Sequence, residues 1–412
     1  MKANIIIIGD ELLIGRVADR NSCMIARELD SIGIETAEIR VVADKTAAIE
    51  EAVNEALDNA EVVITTGGLG PTKDDMTKKV LTGIFGGSTV RDENVTANIK
   101  SLFAKRNIAL NQLTLDQALV PESAEIIQNR FGTAPIMVFH KGQKTLVAMP
   151  GVPHETAGML PAVRKCLLEK YRPATEGHHF TVTLHGISES ALAEKLEEFE
   201  NALQPNSKLA YLPDSPLIRL RLDFFGAEDR FNACTRKLVD TLREIDSVKI
   251  VSFGEKPLAE RVIEELRIQN LSLSTAESCT GGNIAHMITE VQGASDVYYG
   301  SVVSYANSAK TNVLDVSREI LYTHGAVSRE TVIGMVEGVC RVMSTDCAVA
   351  TSGIAGPTGG TDDKPVGTVW MAVKTPRGVK AYRHFFPGER TMVINKASTM
   401  ALIHLLEELG RR

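Results

Sequence analysis

The chain has 412 residues, 44% of them hydrophobic and 24% charged, with a formal net charge of −7. That length exceeds one ordinary domain and suits roughly two to three, each with enough apolar residues for a core. The acid excess argues against non-specific nucleic-acid binding as the main role, so no nucleic-acid partner is expected.

The opening MKANIIIIGDELL is too short in apolar length for a signal peptide or a membrane span. It reads as a first buried strand over residues 5–8, and no membrane partner is expected. Asn21 or Ser22 opens a helix carrying Met24, Ile25, Leu29 and Ile32. Val41 and Val42 end a second strand, and Asp44 reads as the cap of a helix bearing Ile49, Val53 and Leu57. Val62 to Thr65 form a third strand. This alternation, continuing to about residue 172, argues for an α/β fold with a parallel sheet covered by helices.

The third strand runs directly into Gly67, Gly68, Leu69, Gly70, Pro71 and Thr72, followed by Lys73, Asp74 and Asp75. Glycines after a parallel strand leave room for phosphates at the next helix N-terminus. Asp74 and Asp75 could bind a hard divalent cation bridging to those phosphates, or could simply complement the helix dipole. Asp10 and Glu11, after the first strand, fall at the same carboxyl edge. The segment has neither the G-K-[ST] of a Walker loop nor a G-x-G-x-x-G fingerprint.

Residues 173–252 change character. FTVTLHG and LIRLRLDFF alternate apolar and polar residues, as half-exposed strands do, and ALAEKLEEFE and RFNACTRKLVDTLREI read as amphipathic helices. A small α+β module with one solvated sheet face is expected. It has no G-x-x-G loop between helices, so no RNA binding is inferred from its shape.

The last segment, 253–412, starts with a helix after Pro257 that places Leu258, Val262, Ile263 and Leu266 on one face. It closes with a helix near 392–409 capped by Gly410. Between them, LSLSTAESCTGG sets a small hydroxyl residue, Ser278, at a strand-to-helix turn. Helical N–H groups and the positive dipole end converge there, which favours an activated serine and an oxyanion beside it. The alternative is that Ser278 or Thr280 only caps the helix. Cys279, with no Cys or His partner in a catalytic pattern, is a weaker nucleophile candidate than Ser278. A lysine kept neutral by burial, or a tyrosine, can act as base, and SYANSAK supplies Tyr305 and Lys310. His286 and His324 stand in ordinary helix and turn contexts. Downstream, the strand from Cys347 to Thr351 enters a loop with Gly353, Gly356, Gly359 and Gly360, which suits either an anion or a flexible turn. The six cysteines (Cys23, Cys166, Cys234, Cys279, Cys340 and Cys347) form no C-x-x-C pair, so a reduced, cytoplasmic protein is the simplest reading.

Taken together, AESCTGG, SYANSAK, GAVS at 325–328, and SGIAGPTGG with KPVGTVW resemble the nicotinamide-nucleotide amidase domain of the CinA family, over residues 255–410. GDELLIG, TTGGLGPTKDDMT, FGTAP and MPGVPHE resemble that family's molybdopterin-binding-like N-terminal domain. The resemblance implies a three-layer α/β/α domain over 1–172, a KH-like α+β domain over 173–252 and an α/β amidase domain over 253–412. It implies hydrolysis of nicotinamide mononucleotide to nicotinate mononucleotide and ammonia, without a cofactor. Ser278 would be the nucleophile, Lys310 assisted by Tyr305 the base, and N–H groups at the helix start the oxyanion donors. Thr280, Gly281, Gly353, Gly356, Thr358, Gly359 and Arg390 would contact substrate, Arg390 through its phosphate. For the N-terminal domain it implies a metal-dependent ADP-ribose pyrophosphatase. Gly67, Gly68, Gly70 and Thr72 would hold the diphosphate, and Asp74, Asp75, Asp10 and Glu11 a divalent metal. After GTAP the sequence departs from the family pattern, Ile136 and Met137 replacing an expected glycine, and a narrower pocket is expected there. A homodimer is expected by the same resemblance. Adenylyl transfer to molybdopterin, and a non-enzymatic competence-linked binding role, are the competing functions.

Overall fold

The computed structural model of the chain describes residues 1–72, 75–171, 177–205 and 207–410. They form two compact units, Met1–Glu176 and Gly177–Arg412.

The first unit is built on a six-stranded sheet in the order Glu35–Val42, Lys2–Ile8, Val62–Thr66, Lys144–Met149, Ile136–Lys141, Glu125–Ile127. The first four strands are parallel, Ile136–Lys141 runs against them, and Glu125–Ile127 pairs antiparallel with it. Both faces are covered. Ile5 and Ile7 pack with Ile25 and Leu29 of helix Asn21–Ser31, whereas Ile6 and Ile8 pack with Ile49 and Val53 of helix Thr46–Asn59. Successive strand residues point to opposite faces, so a continuous apolar run is what a sheet between two helical layers requires. This is the expected three-layer α/β/α arrangement. The strand Lys2–Ile8 has parallel neighbours on both sides, and the crevice at its carboxyl end is where ligands bind in such sheets.

Two expectations fail in this unit. Asp44 does not cap the helix after it: the cap position is Lys45, with no side-chain cap bond. Ile136 and Met137 do not narrow a pocket, because they open the strand Ile136–Lys141 and lie fully buried, one on each face of the sheet.

The second unit contains two sheets. The antiparallel one runs Lys208–Asp214, Leu217–Phe225, Gly177–His185, Lys249–Phe253. Ile218, Leu220 and Leu222 pack with Leu192 and Leu196 of one helix and Leu238 and Leu242 of the other. Their neighbours Arg219 and Arg221 face away from this core, as the alternation predicts.

The other sheet runs Tyr298–Val303, Leu273–Glu277, Cys347–Gly353, Thr368–Thr375, Gly378–Phe385, the first three strands parallel. One face carries Ala276, Ala348, Ala350 and Ala372, small enough to let helix Arg329–Met343 lie close through Val332, Met335, Val336 and Val339. The other packs Leu273, Val349 and Met371 against Val262 and Leu266 and against Ala397, Ala401 and Leu405 of helix Arg390–Gly410. Here too the strand Leu273–Glu277 stands between two parallel neighbours, so its carboxyl end faces a crevice.

Candidate active site

Glu277, the last residue of its strand, is in register with Val303 on one side and Thr351 on the other. Two strands therefore end level, at Glu277 and Val303, while the third runs on to Gly353; the next residues, Ser278, Ser304 and Ser352, are side by side at that edge. The Ser278 N–H donates to the Thr351 carbonyl at 3.0 Å and the Ser304 N–H to the Glu277 carbonyl at 2.8 Å. Ser278 is thereby fixed from below by main chain.

Lys310 comes from the short helix Asn307–Asn312 and is 1% exposed. Its ammonium nitrogen lies 3.0 Å from Ser278 Oγ and also donates to the carbonyls of Ser304 at 2.7 Å and Tyr305 at 3.4 Å. Among the described residues no carboxylate forms an ion pair with it. Burial pushes its pKa below the ordinary lysine value, opposed only by the Cys279 side chain. A lysine so placed can give up its proton and then accept one from a serine hydroxyl. The adjacent Cys279 is no rival: burial, with the Glu277 charge adding to it, pushes its thiol up to about 12.

Tyr305 sits differently from expectation. Only its main-chain carbonyl reaches Lys310; the residue is 61% exposed and its hydroxyl accepts a 2.8 Å hydrogen bond from Arg390. Arg390 also donates to the Gly356 carbonyl at 2.9 Å. The phenol and guanidinium thus form a pair at the mouth of the glycine loop, apart from the Ser278–Lys310 hydrogen bond. Thr358 and Gly359 are exposed in that loop. Gly353 is a packing glycine, since a Cβ there would meet the Thr368 carbonyl at 2.8 Å. Thr280 is buried, its hydroxyl paired with that of Thr351 at 2.7 Å, which ties the turn after one strand to the neighbouring strand.

The N–H groups expected at the helix start as oxyanion donors already have acceptors within the chain. The first-turn N–H groups of Ile284 and Ala285, and that of Gly282 before them, all donate to the Glu277 carboxylate. The Thr280 N–H, in the turn itself, has no acceptor among the described residues.

In the first unit a cavity of about 600 Å³ is lined by Glu11, Asn21, Asp44, Gly67, Gly68 and Gly70, among others. Gly67 has φ of 109°, and a Cβ there would lie 2.1 Å from the Ile8 carbonyl, so no other residue fits. Asp75 accepts from the N–H groups of Gly70 and Thr72, both at 2.8 Å, and from the Thr72 hydroxyl. Its two oxygens brace the glycine loop. Asp74 lies outside the described residues. Asp10 accepts from the Asp44 N–H at 3.3 Å. Asp44 itself has one buried carboxylate oxygen with no hydrogen-bond partner among the described residues. Burial, with Asp10, Glu11 and Asp75 close by, raises its pKa. No group of three or more His, Cys, Asp or Glu converges as a metal-ligand set among the described residues.

Residues 255–409 match the family model described as the CinA C-terminal domain, and residues 4–170 the one described as "Probable molybdopterin binding domain". A CinA-like protein of Cytophaga hutchinsonii is 42% identical over 371 residues, covering 90% of this chain and 89% of its own length. Another, of Flavobacterium psychrophilum, is 40% identical over 416 residues, 99% of both chains. The chain belongs to the CinA family. A solved CinA superfamily protein from Klebsiella pneumoniae is 38% identical and covers 37% of this chain and 96% of its own, with a TM-score of 0.36.

Two residues of this CinA-family chain escape a reading of its sequence. Asp44 stands one residue before a helix cap, where an acid is ordinarily a dipole partner. Glu277 looks like the polar end of a strand. Its signal is the pair Gly281–Gly282 between it and the helix, which lets a carboxylate reach back over a tight turn.

Proposed function

We propose that the C-terminal part of the chain is a serine amidase that hydrolyses nicotinamide mononucleotide to nicotinate mononucleotide and ammonia. The observation that carries this reading is the buried Ser278–Lys310 pair, 3.0 Å apart with no acid beside the lysine among the described residues. The choice of substrate rests on the family resemblance of the motifs around that pair. Neutral Lys310 takes the Ser278 proton as Oγ attacks the carboxamide carbon. The oxyanion forms beside the turn, where the Thr280 N–H is free to donate. The lysine then returns the proton to the leaving nitrogen, the C–N bond breaks and ammonia departs. Water, giving a proton to Lys310, attacks the acyl carbon; the ester bond breaks and Ser278 regains its hydrogen. Arg390, with the Tyr305 hydroxyl, is the cationic pair that suits the substrate phosphate. The test is ammonia release by the intact protein and by Ser278→Ala, each with and without chelator. Chelator-resistant release that vanishes in the variant is expected; none from the intact protein sinks the reading.

A second activity is favoured by the unpartnered Asp44 oxygen in the first unit's cavity. It suits a metal-dependent pyrophosphatase acting on a nucleoside diphosphate sugar such as ADP-ribose. Asp44 and Asp10 would hold the divalent cation, which neutralises phosphate charge when bound, while Gly67 and Gly68 give the phosphates room. Adenosine monophosphate formed from ADP-ribose with magnesium or manganese, and lost in Asp44→Asn, is the expected result.

A further inference from the structure

Glu277 is 0% exposed and immediately precedes the serine. A carboxyl group buried to that degree ordinarily has a cation beside it. Here, among the described residues, it has none. Its acceptor bonds instead come from main chain: Gly282 N–H at 3.0 Å and Ile284 N–H at 3.1 Å on one oxygen, and Ala285 N–H at 2.8 Å on the other. The Thr275 hydroxyl adds a longer contact of 3.5 Å. A residue at position i thus binds i+5, i+7 and i+8 and closes the turn between them. That turn is Ser278–Gly282, and it folds so tightly because Gly282 takes a φ of 99°.

The same residue supports the base. Its carbonyl accepts from the Ser304 N–H, and the Ser304 carbonyl accepts from Lys310 at 2.7 Å. Glu277 therefore bears on both halves of the dyad, on Ser278 through the turn its side chain closes and on Lys310 through two successive hydrogen bonds by way of Ser304.

We infer that Glu277 is the positioning residue of the serine site, its carboxylate setting the turn on which Ser278 Oγ meets Lys310. This inference rests on the amidase reading. Glu277 touches no reacting atom, and it also withholds the helix N-terminus from any anion of the substrate. An anionic group of the substrate must then be held elsewhere, as at Arg390.

The experiment compares full-length wild type with Glu277→Gln, Ala285→Pro and Ser278→Ala, each held well below its melting transition. Glutamine keeps the size but turns one acceptor into a donor facing N–H groups. Proline in a first helical turn is tolerated, and at 285 it removes one donor while leaving the charge. Two rates are read: ammonia release from nicotinamide mononucleotide, and phosphonylation of Ser278 by a fluorophosphonate, followed by intact mass. Glu277→Gln is expected to slow both by about tenfold or more with KM little changed, Ala285→Pro to slow them less, and Ser278→Ala to remain unlabelled. A Glu277→Gln protein that melts lower but labels at the wild-type rate while folded overturns the inference. Should Glu277→Gln not fold, Ala285→Pro decides: slowed labelling supports positioning, and the wild-type rate overturns it. If wild type labels at Ser278 yet releases no ammonia, the amidase reading falls while the ratio of labelling rates still judges Glu277.

Discussion

A lysine that acts as a base must first lose its proton, and burial without a partner acid lowers the cost of doing so at Lys310. Its folded pKa is depressed, so the neutral form appears at lower pH than for a free lysine. The value of kcat/KM for ammonia release should therefore rise with pH through that depressed pKa and level off before the ordinary lysine range. Lys310→Arg, which stays charged at all accessible pH, should lose about 10²–10⁴-fold in activity while remaining folded. An arginine variant retaining most of the rate would mean that the serine is activated by something else. Tyr305 predicts the opposite pattern. Because its hydroxyl meets Arg390 and not Ser278 or Lys310, Tyr305→Phe should raise KM several-fold and leave kcat nearly intact. A collapse of kcat with KM unchanged would return the phenol to the proton-transfer step.

Elements buried on both faces announce themselves, and those that turn a side chain toward a cavity do not. The runs from Ile5 to Ile8 and from Val62 to Ile64 are legible because parallel strands between helical layers need apolar residues on both faces. The alternation in LIRLRLDFF was legible for the converse reason, one face being solvated. Ser278 and Lys310 stand in local patterns and Arg390 is implied only by the family resemblance, while nothing local places the Tyr305 hydroxyl beside Arg390. Asp44 was misread because the connection from strand to helix can direct its carboxyl into the crevice as readily as over the helix end. The difference has an energetic sign. An unpartnered buried carboxylate oxygen is destabilising, so Asp44→Asn should raise the metal-free protein's stability at pH 7.5, by about 1 kcal/mol or less once solvent screening of this partly exposed group is allowed for. Since the folded pKa of Asp44 is raised, the wild type sheds that penalty as pH falls through it toward the lower unfolded value, and the gain in the variant should shrink over that range. Urea midpoints with chelator present would show this; equal midpoints at pH 7.5 would mean that the carboxylate is satisfied in solution.

At the scale of the whole second unit, one helix joins the site to the antiparallel sheet. Arg390 begins the helix Arg390–Gly410, and His404 and Glu407 lie near its other end, about 21 and 26 Å along at 1.5 Å per residue. There Glu407 bonds His404 Nδ1 at 3.0 Å and His185 Nε2 at 3.3 Å, His185 being the last residue of strand Gly177–His185. His404 Nε2 meets His384 Nε2 at 2.7 Å, while Tyr382 stacks on the His404 ring at 3.8 Å and binds Glu408. Lys380 completes the group through Glu408. Burial, with His404 and His185 close by, pushes His384 down to about 4, and the two histidine bonds hold Glu407 well below the usual carboxylate range. In both cases the unfolded chain binds protons that the folded chain refuses. Stability is then full above pH 6.5 and is lost as pH falls, first through His384 toward 4 and then through Glu407. Trp370, the single tryptophan, lies in the sheet of this unit and reports its unfolding. Urea titrations followed by its fluorescence should give a stability lower at pH 5 than at pH 7.5 by on the order of 1–2 kcal/mol, after allowance for solvent screening. His384→Gln, which cannot take up the proton, should remove most of that difference. An unchanged pH dependence in the variant would show that protonation is absorbed elsewhere, and that the histidine chain between sheet and helix does not set the acid limit of this unit.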